Sequence, residues 1–433
     1  MKKLNILISA LLLGTMPAIA QNDIVVHDDN TNKDEVIDLP IGMTANEDSL
    51  LTEWKTKFYL VPDTNCTLQD VNPFFEKEVY INRLQRIPSI MEMPYNAVVQ
   101  KFIDQYATRL RRSVSYMLGA CNFYIPIFEE ALDLYQLPLE LKYLPIIESA
   151  LDPRAKSRVG AVGLWQFMLK TAKNYDLKTN SLIDERCDPV KSSFAAARYL
   201  RDLYTIYGDW NLVIAAYNCG PIAINKAIHR ADGSKDYWKI YPYLPRETRG
   251  YVPAFIAANY IMNYYCEHNI CPMKTLIPIV TDTIVVSRDV HFEQISALCH
   301  ISVDEVKSLN PQYRTGLIPG RIEPYPLRLP LAALNLFIDA KDSVYNYQAD
   351  LILHKRKTVE IHENEIEKVA PKSYARRSQR SRSHRSRGKH VTIRQGQTLS
   401  EIAKRNGTTV SKLKRLNDIK GSSIRAGKKL KVK

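Results

Sequence analysis

Beyond its first twenty residues this sequence has no apolar run approaching the ~20 residues a bilayer span requires, which excludes an interior transmembrane helix. Between residues 95 and 266 there is no strand signal of any strength, so that stretch is expected to be all helix. Acidic residues nearly vanish at the C-terminal end. Residues 372–433 hold 20 Lys and Arg against Glu401 and Asp418, a net +18 that leaves the rest of the chain at −4. The body is therefore close to neutral, and a basic tail suited to a polyanion or an anionic surface carries the whole excess. The four-ligand spacing of a structural zinc site is missing too. Cys266, His268 and Cys271 lie close together but read as thiol or disulfide chemistry, and no metal is expected. Seven cysteines cannot all pair within one chain, so at least one thiol stays free of an internal bridge.

What is present begins with Met1-Lys2-Lys3, an apolar run from Leu4 to Met16 and a small-residue stretch, Ala18-Ile19-Ala20, before Gln21. That is the pattern of a secretory signal over residues 1–20, and it places the mature chain, soluble, in the periplasm or cell envelope. Residues 21–93 are polar and interrupted by Pro40, Pro62, Pro73 and Pro88, and read as a surface-hugging extension with short helical pieces. From Tyr95 the spacing of Val98, Val99, Phe102, Ile103, Tyr106, Ala107 and Leu110 marks an amphipathic helix. Further helices are expected over residues 117–135, 139–151, 190–207 and 212–218, with a last one ending near Cys266. Asp188 is the expected N-cap before Pro189, and Phe194, Ala197, Leu200, Leu203 and Tyr204 are expected to face inward.

The chemistry concentrates in residues 137–168, LPLELKYLPIIESALDPRAKSRVGAVGLWQFM. Glu148 stands among Leu139, Leu141, Leu144, Ile146 and Ile147, and Asp152-Pro153 is expected to stop its helix. A carboxylate among apolar neighbours is costly to ionise, and a pKa raised towards neutrality is what a general acid needs. The bland alternative is a solvated glutamate on an ordinary amphipathic helix. Asp152 is the nearest second carboxylate and reads as a turn residue. Asp184, Glu185 and Asp188 form a polar turn that is either solvated or rims a groove. Glu140 and Ser149 read as structural, the first exposed, the second close-packed behind the acid, and Trp165 reads as core.

Glu148-Ser149, then Ser157, then GAVGLWQFM, then Ala215-Ala216-Tyr217-Asn218-Cys219-Gly220 resemble, in order and spacing, the lytic transglycosylases of the soluble type and the membrane-bound murein transglycosylase D group. The resemblance implies a lysozyme-like fold and cleavage of peptidoglycan glycan strands by one acid, Glu148, without a cofactor. It implies substrate contacts from Ser157, which otherwise reads as a turn hydroxyl, and from Gln166, Met168, Tyr217 and Asn218. Tyr251 of the TRGYVP segment is implied to reach Glu148. Leu169 stands where the family usually has proline, and Cys219 where it has a small apolar residue; neither change removes a catalytic group. No cysteine lies near the expected cleavage site, so the lipid anchor common in the group is not indicated.

Residues 375–389, in which six arginines alternate with serine, read as a solvated tether rather than a nucleic-acid site. Residues 390–433 resemble a LysM module, carried by QGQTLSEIAKRNGTTVSKLKRLN, with Gly396, Thr398, Leu399 and Asn417 as the implied glycan-binding positions. A shift of 107 residues lays Phe292, Ile295, Val306 and Leu309-Asn310 on Leu399, Ile402, Leu413 and Leu416-Asn417, so an earlier, degenerate copy is expected. The expected organisation is a signal peptide (1–20), an extension (21–93), an all-α lysozyme-like domain (94–272), a degenerate β-α-α-β module (273–340), a basic linker (341–389) and a LysM module (390–433). A lytic transglycosylase directed to the wall by LysM binding is the preferred reading, with the basic tail touching the envelope surface. A hydrolytic muramidase and a non-catalytic wall-binding scaffold are the alternatives. A nucleic-acid partner is not expected, because an exported chain does not meet one.

Overall fold

The apolar spacing after Tyr95 builds a helical body. The structure is a computed structural model that describes residues 23–28, 33–44, 60–275, 280–353, 390–393, 397–417, 419 and 427–432; the expected signal peptide and the Arg/Ser tract lie outside them. Asn96 caps the Ala97–Ala107 helix by accepting the Val99 N–H, and its apolar stripe is buried. The next helix, Arg111–Leu134, starts earlier than expected and carries Pro126 inside it. Asp188 caps Pro189–Tyr207 through the N–H groups of Val190 and Lys191, and Gly208 ends that helix in the left-handed region. Tyr204, expected inside, is exposed and stacks on Trp210 at 4.2 Å. The last helix of the body, Arg246–Tyr264, accommodates Pro253 and is buried along most of its length.

The acid-bearing stretch is not one helix over 139–151. A 3-10 turn at Leu139–Tyr143 passes into a short α-helix, Leu144–Ser149, because Pro145 has no N–H to offer and fits only a first turn. The helix then ends before Asp152, at Ala150 and Leu151 in left-handed conformations (φ 51° and 63°). Both residues are fully buried, so packing holds a conformation that side chains ordinarily avoid. The same close packing explains Gly42 in the N-terminal Ile41–Thr44 turn. A Cβ there would lie 2.1 Å from the carbonyl oxygen of Ile146.

The N-terminal extension is thus no surface appendage. An antiparallel hairpin, Asp23–Asp28 with Lys33–Asp38, leads into that turn, and Ile37, Met43 and Leu60 join the main core. Leu60–Val61 pairs with Lys274–Thr275, and Cys66 is disulfide-bonded to Cys271, closing a loop across a sequence separation of 205. His268, between the cysteines considered above, is buried and bonded to Asn72 and Tyr260. Replacing Cys66 and Cys271 by alanine is expected to cost about 2–5 kcal/mol in urea unfolding, because the unfolded chain regains that loop freedom.

A second core gathers the residues between Val286 and Tyr345, built on antiparallel pairs Thr281–Val286 with Tyr325–Pro330 and Asp289–His291 with Leu317–Pro319. Lys341–Asn346, expected as the start of the linker, is a helix whose Val344 and Tyr345 are buried in this core. The third core, Ile393 to Val432, lies in a separate compact unit with one antiparallel pair, His390–Thr392 with Lys429–Lys431.

The internal repeat holds at atomic detail. Phe292, Ile295 and Val306 are buried in one module as Leu399, Ile402 and Leu413 are in the other. Capping boxes fall at the same places, His291 with Gln294 and Thr398 with Glu401. Asn310 donates to the Val306 and Arg328 carbonyls and accepts the Arg328 N–H. Asn417 makes the matching set with Leu413 and Lys431.

Candidate active site

Glu148 sits one residue before the end of its short helix, with only 8% of its surface exposed. Its partner is the Tyr251 hydroxyl, presented by the Arg246–Tyr264 helix and donating to Oε1. Burial pushes the Glu148 carboxyl up from 4.5 to about 8; the Tyr251 hydrogen bond pulls it down, and the nearby Glu247 charge pushes it up again. Burial, together with the Glu148 charge, drives the phenols of Tyr217 and Tyr251 well above 10, so both are neutral hydrogen-bond donors at physiological pH.

One wall of the site is the loop from Asp152 to Phe167. It folds back on itself through bridges of Lys156 with Val162 and of Val162 with Phe167. Ser157 Oγ accepts the Ala161 N–H at 2.9 Å, so the turn duty considered for this hydroxyl is real, while the residue also faces the cleft. Gly163 has φ +90°, and a Cβ on it would fall 1.9 Å from the Arg186 carbonyl oxygen, so glycine is required there. Gln166 is itself left-handed (φ 47°) and donates its Nε2 to the carbonyls of Gly163 (2.9 Å) and Ala155 (3.2 Å). Its Oε1 is buried with no partner among the described residues. An orphaned acceptor beside a cleft is costly unless a ligand donor meets it.

The facing wall comes from the Trp210–Cys219 helix. Tyr217 donates to the Trp165 carbonyl at 2.7 Å, and Asn218 accepts from the Thr248 hydroxyl at 2.8 Å. Between the walls lies an open cleft lined by Glu148, Ser157, Gln166, Met168, Tyr217 and Asn218. Met168 is exposed in the cleft, whereas Tyr251 stands behind the acid. Trp165 is in the core, with its indole N–H on Ser193 Oγ, and Ser149 packs behind Glu148 with its hydroxyl on the carbonyls of Pro145 and Leu164.

Among the cleft residues that the sequence reading did not single out are Ile41, from the N-terminal turn, Tyr199, and Glu247, exposed on the first turn of the Tyr251 helix. Nothing local marks Ile41. Glu247 lies four residues before Tyr251, where a carboxylate next to a recognised block was a usable sign. Other carboxylates need correction. Glu140 is buried, not exposed, and accepts the N–H groups of Ile90 (2.6 Å) and Met91 (2.8 Å). Asp184, Glu185 and Asp188 neither face solvent nor rim the cleft; all three are buried in caps and ion pairs. Asp184 is held below its ordinary 3.8: burial opposes this, but the Arg186 and Arg314 guanidinium groups outweigh it.

Of the implied C-terminal positions, Thr398, Leu399 and Asn417 fall among the described residues. Gly396 lies outside those residues. Leu399 is buried in its module's core and offers no surface to a glycan, while Thr398 caps its helix and Asn417 ties helix to strand.

Three families match the chain. The Transglycosylase SLT domain covers residues 126–240, the "Lytic transglycosylase MltD, LysM-like domain" covers 280–346 and the LysM domain covers 391–433. The first span contains every residue from Glu148 to Asn218 named above and places the helical domain in the lysozyme-like all-α class expected from the sequence. Membrane-bound lytic murein transglycosylase D of Escherichia coli (strain K12) is 31% identical over 300 residues, 68% of this chain and 60% of that protein. Soluble lytic murein transglycosylase of the same strain is 32% identical over 124 residues, 27% of this chain and 19% of that one. The solved 70 kDa soluble lytic transglycosylase SLT70 from Escherichia coli matches 34% of this chain and 25% of its own, at 27% identity and a TM-score of 0.29. The chain spans about 60% of the length of the murein transglycosylase D that it matches.

Proposed function

We propose that this chain, in which a transglycosylase SLT domain is followed by two LysM-type domains, is a lytic transglycosylase that cleaves peptidoglycan in the cell envelope. The observation that carries the reading is one buried acid opening on a cleft lined by Ser157, Gln166, Tyr217 and Asn218, with its carboxyl raised to about 8. At neutral pH Glu148 holds its proton. It donates that proton to the oxygen joining N-acetylmuramic acid to N-acetylglucosamine, and the bond breaks as the muramic C1 becomes oxocarbenium-like. The substrate's acetamido oxygen steadies that centre. Glu148, now a carboxylate, takes the proton of the muramic 6-hydroxyl as that oxygen bonds to C1, and a 1,6-anhydro ring results with the acid restored. A pKa near working pH suits both steps.

Supporting roles follow from the geometry. The free Gln166 Oε1 is an acceptor for a sugar hydroxyl or amide N–H, Met168 is a pliable apolar face for a ring, and Ser157, Tyr217 and Asn218 line the groove beside the acid. The Tyr251 hydroxyl favours the carboxylate and so eases the first half of the cycle, in which Glu148 gives up its proton. The C-terminal LysM module is the part of the chain that would hold the enzyme on glycan.

Glu247 favours a second reading, hydrolysis, since a second carboxylate in the same cleft is what a water-activating base would look like. Assaying Glu247→Gln on purified sacculi separates the readings. Glu247→Gln is expected to keep lysis within about threefold and still yield anhydro ends, whereas a general base is worth roughly a hundredfold or more. Loss of that size in Glu247→Gln would transfer the assignment to the hydrolytic mechanism.

A further inference from the structure

We propose that Arg314, contributed by the second module, is a positioning residue for the cleft: through Asp184 and Arg186 it steadies the wall that carries Ser157, Gln166 and Phe167. The inference rests on the transglycosylase reading. Arg186, 2% exposed, grips both oxygens of Asp184, at 2.9 Å through Nε and 2.9 Å through Nη2. Its remaining Nη1 donates to the carbonyls of Gly160 (3.1 Å) and Phe167 (3.2 Å), the two ends of the strand-like return in the cleft wall. One buried guanidinium therefore fixes the span between the Ser157 turn and the Gln166–Met168 segment.

Asp184 is shared. Arg314 Nη2 donates to its Oδ2 at 2.8 Å, and that side chain is 38% exposed. The backbones interlock at the same place: the Asp184 N–H bonds the Gln312 carbonyl at 2.9 Å, and the Arg314 N–H bonds the Leu182 carbonyl at 2.8 Å. Leu182 and Ile183 are buried in the second module's core. A fork-shaped, bidentate grip fixes Asp184 in angle as well as distance, so a displacement of the carboxylate moves Arg186 and the two carbonyls it holds. Misplacing a substrate-contacting wall by a fraction of an ångström acts on the chemical step more than on binding.

The test uses the full chain on peptidoglycan sacculi, comparing Arg314→Met, Arg314→Lys and, as a control, Lys178→Met. The control removes the exposed Lys178–Glu323 ion pair across the same contact without touching Asp184. Arg314→Met is expected to lower kcat roughly tenfold with KM held within about twofold. Arg314→Lys should recover most of that loss, and Lys178→Met should behave as the unaltered chain. Thermal unfolding of the same samples must show Arg314→Met folded at the assay temperature. Wild-type kcat in Arg314→Met, or an equal loss in Lys178→Met, overturns the positioning role while leaving the enzyme reading intact. Absence of lysis by the unaltered chain overturns both.

Discussion

Glu148→Gln is expected to abolish wall lysis, by a factor of at least about 10³, while making the folded chain more stable at neutral pH. The activity loss follows from one side chain acting twice; a single general acid or base step is worth roughly 10²–10⁴-fold, and here both are removed. The stability gain follows from linkage. In the fold the Glu148 carboxyl ionises at about 8, against 4.5 ordinarily, because burial disfavours its charge. Between those two values the unfolded chain gives up a proton that the folded chain keeps, so stability falls as pH rises through that window. Each unit is worth about 1.36 kcal/mol, so the native chain forfeits roughly 3–5 kcal/mol by pH 8. Glutamine has no charge to lose. Urea unfolding should therefore show Glu148→Gln ahead by a few kcal/mol at pH 8 and level with the native chain near pH 4. A variant no more stable at pH 8 would mean an acid already ionised in the fold, and one that cannot serve as donor.

The second large effect is on the fold. Arg186→Met should cost about 3–5 kcal/mol, the range seen when one partner of a buried ion pair is removed. Asp184 is 3% exposed and would be left with the half-exposed Arg314 alone, while the carbonyls of Gly160 and Phe167 would lose a shared donor. Activity should fall with it, because those carbonyls frame the Ser157–Gln166 wall. Chemical unfolding monitored by circular dichroism reads the effect directly, and a loss under about 1 kcal/mol would show the network to be incidental.

Much of the site was legible because its residues lie in compact blocks. Glu148, Ser157, Gln166, Met168, Tyr217 and Asn218 do line one cleft, and Tyr251 does reach the acid. Local signals were reliable where the physics is local: Asp188 caps a helix because proline follows it, and Thr398 with Glu401 closes a capping box within one turn. The failures are long-range. Glu140 reads as a surface glutamate until Ile90 and Met91, about fifty positions earlier, bring their N–H groups to it. Asp184 reads as part of a polar turn, solvated or rimming a groove, until Arg314 arrives from another core. Ile37 and Met43 sit in elements too short to show periodicity, though both are fully buried. The pairing of Cys66 with Cys271 has no local trace at all.

The chemistry is tested most directly by where the new oxygen comes from. Sacculi digested by the full chain in oxygen-18 water, with the released muropeptides weighed by mass spectrometry, should give 1,6-anhydromuramic ends carrying no heavy oxygen, because the sugar closes on its own hydroxyl. Reducing muramic ends labelled with oxygen-18 would contradict a mechanism in which Glu148 alone handles the proton twice.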